Sequence, residues 1–185
     1  MKNHLLALTF CIIALPTFGD SVWQKRAPLL AENSEMSVAQ WGNKIYVFGG
    51  YPSTRKTVGT VQVYDATSDR WQLEPPLPAP VNHSVAVALE GKLYVIGGQK
   101  KAGGKAKKAQ FQDLVQIYDI ASKTWSKGSR MLTKRSSGGA AVIRGKIYVA
   151  GGRPPHGHDF AVYDPKGDQW TLLPNMPTSR NHIAV

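Results

Sequence analysis

The chain has 185 residues and a formal net charge of +11, with 42% hydrophobic and only 19% charged residues. Eighteen glycines and twelve prolines suit short strands joined by turns and exclude a long-helix architecture, while the apolar content excludes compositional disorder. The length admits one substantial core or a short array of repeats.

Residues 1–19 differ in kind from the rest of the chain. A polar start carrying Lys2 leads into an apolar run from Leu5 to Pro16, then Thr17-Phe18-Gly19 places small residues at a cleavage-like site. This pattern predicts a signal peptide over 1–19, a secreted or periplasmic location and no membrane span, since the run falls short of the ~20 residues that cross a bilayer. Cys11, the only cysteine, lies within it, so the remaining chain has no disulfide and no thiolate ligand.

From Trp23 onward the chain repeats. Asn43-Lys44-Ile45-Tyr46-Val47-Phe48-Gly49-Gly50, Gly91-Lys92-Leu93-Tyr94-Val95-Ile96-Gly97-Gly98 and Gly145-Lys146-Ile147-Tyr148-Val149-Ala150-Gly151-Gly152 align without gaps. A tyrosine-aspartate pair comes after each: Tyr64-Asp65, Tyr118-Asp119 and Tyr163-Asp164. Tyr64 to Trp71, Tyr118 to Trp125 and Tyr163 to Trp170 all span seven residues, and Trp23 to Lys44, Trp71 to Lys92 and Trp125 to Lys146 all span twenty-one. Only the interval from the second glycine to the tyrosine varies, at 14, 20 and 11 residues. One unit has been copied and a single loop has been free to change.

Each unit reads as four antiparallel strands, a to d: a small apolar strand a, the Tyr-Val strand b ending in glycines, strand c with the tyrosine, and strand d near the tryptophan. The glycines allow close backbone approach or positive φ, and the aspartate suits the c–d turn because its side chain bonds backbone amides. The aromatics are expected in the core.

Paired glycines, a tyrosine and a tryptophan in this register resemble kelch repeats, and the resemblance runs from Trp23 to the end. It implies an all-β fold, a kelch-type β-propeller with each repeat one blade around a central channel. The blade units are about 34–75, 82–129 and 136–174, within a repeat region of 20–185. Partial blade strands are expected at 21–26 and 180–185, leaving an incomplete ring of three complete blades. A shortened version of a longer chain is expected rather than two copies completing a ring, and the unclosed blade edges are candidates for self-association.

In such a blade the d–a and b–c loops share one face. That face collects Arg55, Lys56, five lysines between Lys100 and Lys108, Arg135, Arg153 and Arg180, whereas Asp65, Asp69, Glu90, Asp119, Asp164 and Asp168 fall opposite. The resulting expectation is a non-catalytic binding scaffold whose cationic face takes an anionic ligand, an acidic peptide or an acidic glycan. Arg135, Arg180, Arg153, Arg55, His83 and His182 are the candidate ligand-binding residues, because a guanidinium grips a carboxylate with two bonds. Strand capping or solubility is the competing role for the arginines. The stretch from Gln99 to Gln110 reads as a solvated loop.

His83 and His182 share one repeat position, occupied by Glu35 and Ser137 in the other units; a polar role at strand entry is expected there. The alternative is a carbohydrate-active enzyme resembling sialic-acid mutarotases, with Glu35, His83 or His182 as acid or base. Chemistry resembling galactose oxidase needs a cysteine that the chain lacks after Cys11. His156, His158 and Asp159 have ligand character but too short a spacing, so neither metal nor cofactor is expected. Nucleic acid is not an expected partner.

Overall fold

The structure is a computed structural model in which residues 23–100 and 109–183 are described. The first sheet comprises β1 (Ser37–Trp41), β2 (Lys44–Phe48), β3 (Val61–Asp65) and β4 (Arg70–Glu74). The second comprises β5 (Val85–Leu89), β6 (Lys92–Ile96), β9 (Val115–Asp119) and β10 (Thr124–Gly128). The third comprises β11 (Gly139–Ile143), β12 (Lys146–Ala150), β13 (Phe160–Asp164) and β14 (Gln169–Leu173). Every sheet is an antiparallel meander in which a pairs b, b pairs c and c pairs d. Strands β1, β5 and β11 lie side by side, so the innermost strands of successive sheets line a common axis. These are three blades of a β-propeller, and among the described residues they do not close a ring.

Strand periodicity explains the packing. Alternate residues of the middle blade point to opposite neighbours: Leu93, Val95 and Tyr118 pack with Tyr46, Phe48 and Val63 of the first blade. Tyr94, Ile96 and Val115 pack with Ile147, Val149 and Tyr163 of the third. Ile45, Leu93 and Ile147 share one repeat position, yet Leu93 and Ile147 are fully buried while Ile45 is 37% exposed. Among the described residues, no sheet stands in front of the first.

The c–d turns form as the aspartates require. The Asp65 Oδ1 accepts from the Thr67 N–H at 2.9 Å, that of Asp119 from Ser122 at 2.9 Å and that of Asp164 from Lys166 at 3.0 Å. The paired glycines join blades. Gly97 has φ +66°, and a Cβ there would sit 2.6 Å from the Arg135 carbonyl oxygen, while the Gly98 N–H donates to that same oxygen at 2.8 Å. No other residue satisfies both demands.

Two sequence expectations need correction. Of the terminal pieces expected as strands at 21–26 and 180–185, the described residues 23–26 and 180–183 form no strand. The N-terminal piece instead lies against the first blade: the Trp71 Nε1–H donates to the Ala27 carbonyl at 2.8 Å, as that of Trp125 does to Pro75 and that of Trp170 to Ser129. Ala27, Pro75 and Ser129 each stand four residues after a repeat tryptophan, so the predicted register holds without the strand. The stretch read as a solvated loop begins and ends as a ribbon, β7 (Gln99–Lys100) pairing β8 (Gln110–Phe111). The predicted signal peptide, most of the lysine-rich segment and the last two residues lie outside the described residues, among which no helix is long and apolar enough to cross a membrane.

Candidate functional site

Each of the three blades begins with a residue in the left-handed region just before strand a, and His182 repeats that conformation at the next equivalent position. Glu35 (φ 55°), His83 (φ 54°), Ser137 (φ 59°) and His182 (φ 51°) are the four equivalents. Their backbones are linked from blade to blade. The His83 N–H donates to the Glu35 carbonyl at 2.8 Å, Ser137 to His83 at 2.8 Å and His182 to Ser137 at 2.7 Å. The result is a collar around the axis, on the face that carries the variable loops. Four non-glycine residues at positive φ are costly, and the relay of hydrogen bonds offsets that cost.

The collar converges three side chains that are 48 and 99 residues apart in sequence. The ligating atoms of Glu35, His83 and His182 all lie within 4.8 Å of one another. The Nδ1–H of His83 donates to the Asn82 Oδ1 at 2.7 Å, and that of His182 to the Asn181 Oδ1 at 2.6 Å. The Asn-His dipeptide thus recurs at two repeat positions, and a proton on Nδ1 leaves Nε2 as the free nitrogen of each ring; the Gln99 Nε2 also stands 3.3 Å from the His83 Nδ1. Arg153 fills the space between them: its Nη2 donates to the His83 Nε2 at 3.3 Å and to that of His182 at 3.1 Å, while its Nε–H donates to the Ser137 Oγ at 3.2 Å. Glu35 Oε2 stands 3.0 Å from the His83 Nε2. Burial holds the His83 imidazole below the usual histidine range; Glu35 pulls the other way, and Arg153 and His182 reinforce the depression.

Arg153, His83 and His182 are therefore brought together as a site. Arg55 lies at its margin, also at positive φ, with its guanidinium 5.6 Å from the Tyr51 ring centroid; the Tyr51 ring in turn is 6.3 Å from that of His83. Tyr51, Arg55, Glu32, Glu35 and Ser53 line an open hollow of about 620 Å³ beside the collar.

Arg135 is a correction. It is 3% exposed, and its Nη1 donates to the carbonyls of Val149 (3.4 Å) and Asp159 (3.1 Å) in the third blade. Its Nε has no hydrogen-bond partner and its guanidinium is pushed below the usual arginine range by burial, with Asp159 opposing. This arginine pins two blades together and cannot meet a ligand. Arg180, its repeat equivalent, is exposed and turned to its own chain, donating to the Ser179 carbonyl at 3.3 Å. The difference is the covering sheet: the third blade buries Arg135, and no described residue covers Arg180 in the same way.

His156 and His158 diverge, the first bonding Asp159 at 2.9 Å and the second the Met176 carbonyl at 2.8 Å. The loop face is also less purely cationic than expected. It includes Glu32, Glu35, Asp113 and Asp159, of which Asp113 pairs with Arg130 at 2.5 Å. The convergence of Glu35 with both histidines escapes sequence reading, although their shared repeat position was the available signal.

Comparison with known proteins accords with this architecture. The family model described as the KLHDC2/KLHL20/DRC7 Kelch-repeats domain matches residues 20–184. Kelch-like protein 23 of Pongo abelii is 31% identical over 148 residues, covering 76% of this chain and 24% of the relative. Kelch-like protein 34 of Homo sapiens is 33% identical over 141 residues, covering 75% and 21%. Beta-scruin of Limulus polyphemus is 28% identical over 172 residues, covering 88% and 19%. The chain thus spans about a quarter or less of the length of these curated relatives. The expectation of a secreted or periplasmic protein does not survive these matches: the relatives are Kelch-like proteins and a scruin, they lend no support to export, and that location is withdrawn. Three blades in register, a collar of repeat-equivalent residues and a match across nearly all of the described residues lead to one assignment: the chain belongs to the kelch-repeat family.

Proposed function

We propose that the chain is a non-catalytic interaction scaffold whose collar face binds an anionic ligand, an acidic peptide or an acidic glycan, with Arg153 as the central contact and Arg55 at the margin. Kelch-family membership supports the scaffold. One observation carries the ligand class: the hydrogen-bond partners of Arg153 are two imidazoles and a hydroxyl, and among the described residues no carboxylate lies within ion-pair distance of it. A guanidinium without an ion-pair partner is matched to an incoming carboxylate.

The test is binding of a glutamate-rich peptide and of a sialylated oligosaccharide at two salt concentrations. Either should bind more weakly in high salt, and Arg153→Ala should abolish binding while leaving the fold intact. Undiminished binding by Arg153→Ala overturns the reading. The carbohydrate-enzyme alternative draws on the Glu35–His83 pair beside an arginine. Accelerated anomerisation of an acidic sugar, lost in Glu35→Gln, would favour it.

A further inference from the structure

We infer that Glu35, His83 and His182 form a binding site for a late first-row divalent metal ion, zinc above all, and that Arg153 is the resident cation which the metal displaces. Two imidazole nitrogens and a carboxylate oxygen are a ligand set for zinc, cobalt, nickel or copper, and imidazole disfavours magnesium and calcium. Among the described residues this is the group of three such side chains whose ligating atoms converge. The inference is independent of the anion-binding reading.

Three features of the geometry support it. Both histidines have an amide oxygen placed to take the Nδ1 proton, Asn82 at 2.7 Å and Asn181 at 2.6 Å, and in that tautomer each Nε2 is a lone pair available to a metal. That outer-shell arrangement is how protein metal sites orient imidazole. Next, the His83 Nε2 has the Glu35 Oε2 at 3.0 Å and the Arg153 Nη2 at 3.3 Å. In the tautomer with its proton on Nδ1, that oxygen and nitrogen are two acceptors in contact, a pair that a cation between them satisfies. Arg153 supplies part of that need from one side, since its Nη2 bridges the two imidazoles but makes no ion pair with Glu35.

The third feature is fit. Metal–nitrogen bonds of ~2.0–2.1 Å in a tetrahedron place ligand atoms roughly 3.3 Å apart. The Glu35–His83 pair is at 3.0 Å and all three atoms fall within 4.8 Å, so small side-chain rotations close the set around an ion. The collar backbone, tied by its three interblade hydrogen bonds, need not move. Only the long Arg153 side chain must swing away, which leaves a fourth coordination position open to water or to a ligand.

Zinc chloride titrated into the untagged full chain, in competition with a chromophoric chelator, tests the inference. One ion should bind per chain, and His182→Ala, an exposed change, should weaken binding by at least ~tenfold. Arg153→Gln should tighten it several-fold by removing the competitor, and His156→Ala should leave it unchanged. Cobalt chloride should give visible absorption that disappears in His182→Ala. Absence of saturable binding, binding indifferent to His182→Ala, or weakening by Arg153→Gln would each overturn the assignment.

Discussion

Tyr118 donates its phenolic hydrogen to the Oε2 of Glu74 at 2.8 Å, and Glu74 belongs to the preceding blade. In the first and third blades the same tyrosine bonds within its own blade: Tyr64 to Asp69 at 2.6 Å and Tyr163 to Asp168 at 2.5 Å. The second repeat has Lys123 where the others have aspartate, and Lys123 in turn binds Glu74 at 2.9 Å. A carboxylate lost in one blade is returned by its neighbour. Glu74→Gly should cost about 1–3 kcal/mol, the penalty for stranding a buried hydroxyl. Adding Lys123→Asp should restore most of it by recreating the third-blade arrangement. Chemical denaturation of the single and double variants reads this coupling directly.

Gly128 is the third-blade side of the same exchange. It stands where the first blade has Glu74, and a Cβ there would lie 2.6 Å from the Tyr163 hydroxyl. Gly128→Ala should therefore destabilise by about 1–3 kcal/mol through overpacking, although alanine suits a strand better than glycine. A melting temperature equal to or above that of the parent would contradict the placement of Tyr163.

The two equivalent arginines should behave differently. Arg135→Ala removes a buried donor from the Val149 and Asp159 carbonyls and should lower stability by about 2–3 kcal/mol. Arg180→Ala should fall within about 0.5 kcal/mol of the parent. Paired thermal melts decide this, and equal effects would argue against burial of Arg135 by the third blade.

Acid should loosen the blade junctions. The Asp168 carboxyl is held below its usual range first by the Ser129 N–H and then by the Tyr163 hydroxyl, and that of Asp69 by the Tyr64 hydroxyl and then the Ala27 N–H. For Glu74, burial alone would raise the value, and the bonds from Lys123 and Tyr118 outweigh it to leave it low. A carboxyl lowered on folding stabilises the fold above its unfolded value, near ~4, and that contribution disappears as pH falls through the folded value. Stability should fall modestly below about pH 6.5, where the buried His83 resists a proton that the unfolded chain takes up, and more steeply below about 4.5 as the carboxyls protonate. The decline should be shallower in Asp168→Asn, measured by denaturant midpoints across pH.

Much of this architecture is legible in the chain because a repeat encodes its own alignment. Tyr64, Tyr118 and Tyr163, with the tryptophans seven residues on, mark strands c and d, and the aspartate turns form where the side chain predicts. The part that escapes is whatever depends on a neighbouring blade. Arg135 and Arg180 share a repeat position, and only a covering sheet makes one a buried pin. Glu35, His83 and His182 converge because the innermost strands crowd one axis, a property of blade curvature that residue spacing does not express. The pairing of Gln99–Lys100 with Gln110–Phe111 is hidden by a polar composition that reads as loop.

The central claim is that three repeats are successive blades tied through the collar, and amide hydrogen exchange resolved by residue tests it most directly. The amides of His83, Ser137 and His182 lie outside every strand, yet each donates to the carbonyl of its equivalent one blade earlier, at 2.7–2.8 Å. Exchange at all three should be slowed to rates approaching those of the strands beside them. Exchange as fast as in an open loop would contradict the collar and the site built on it.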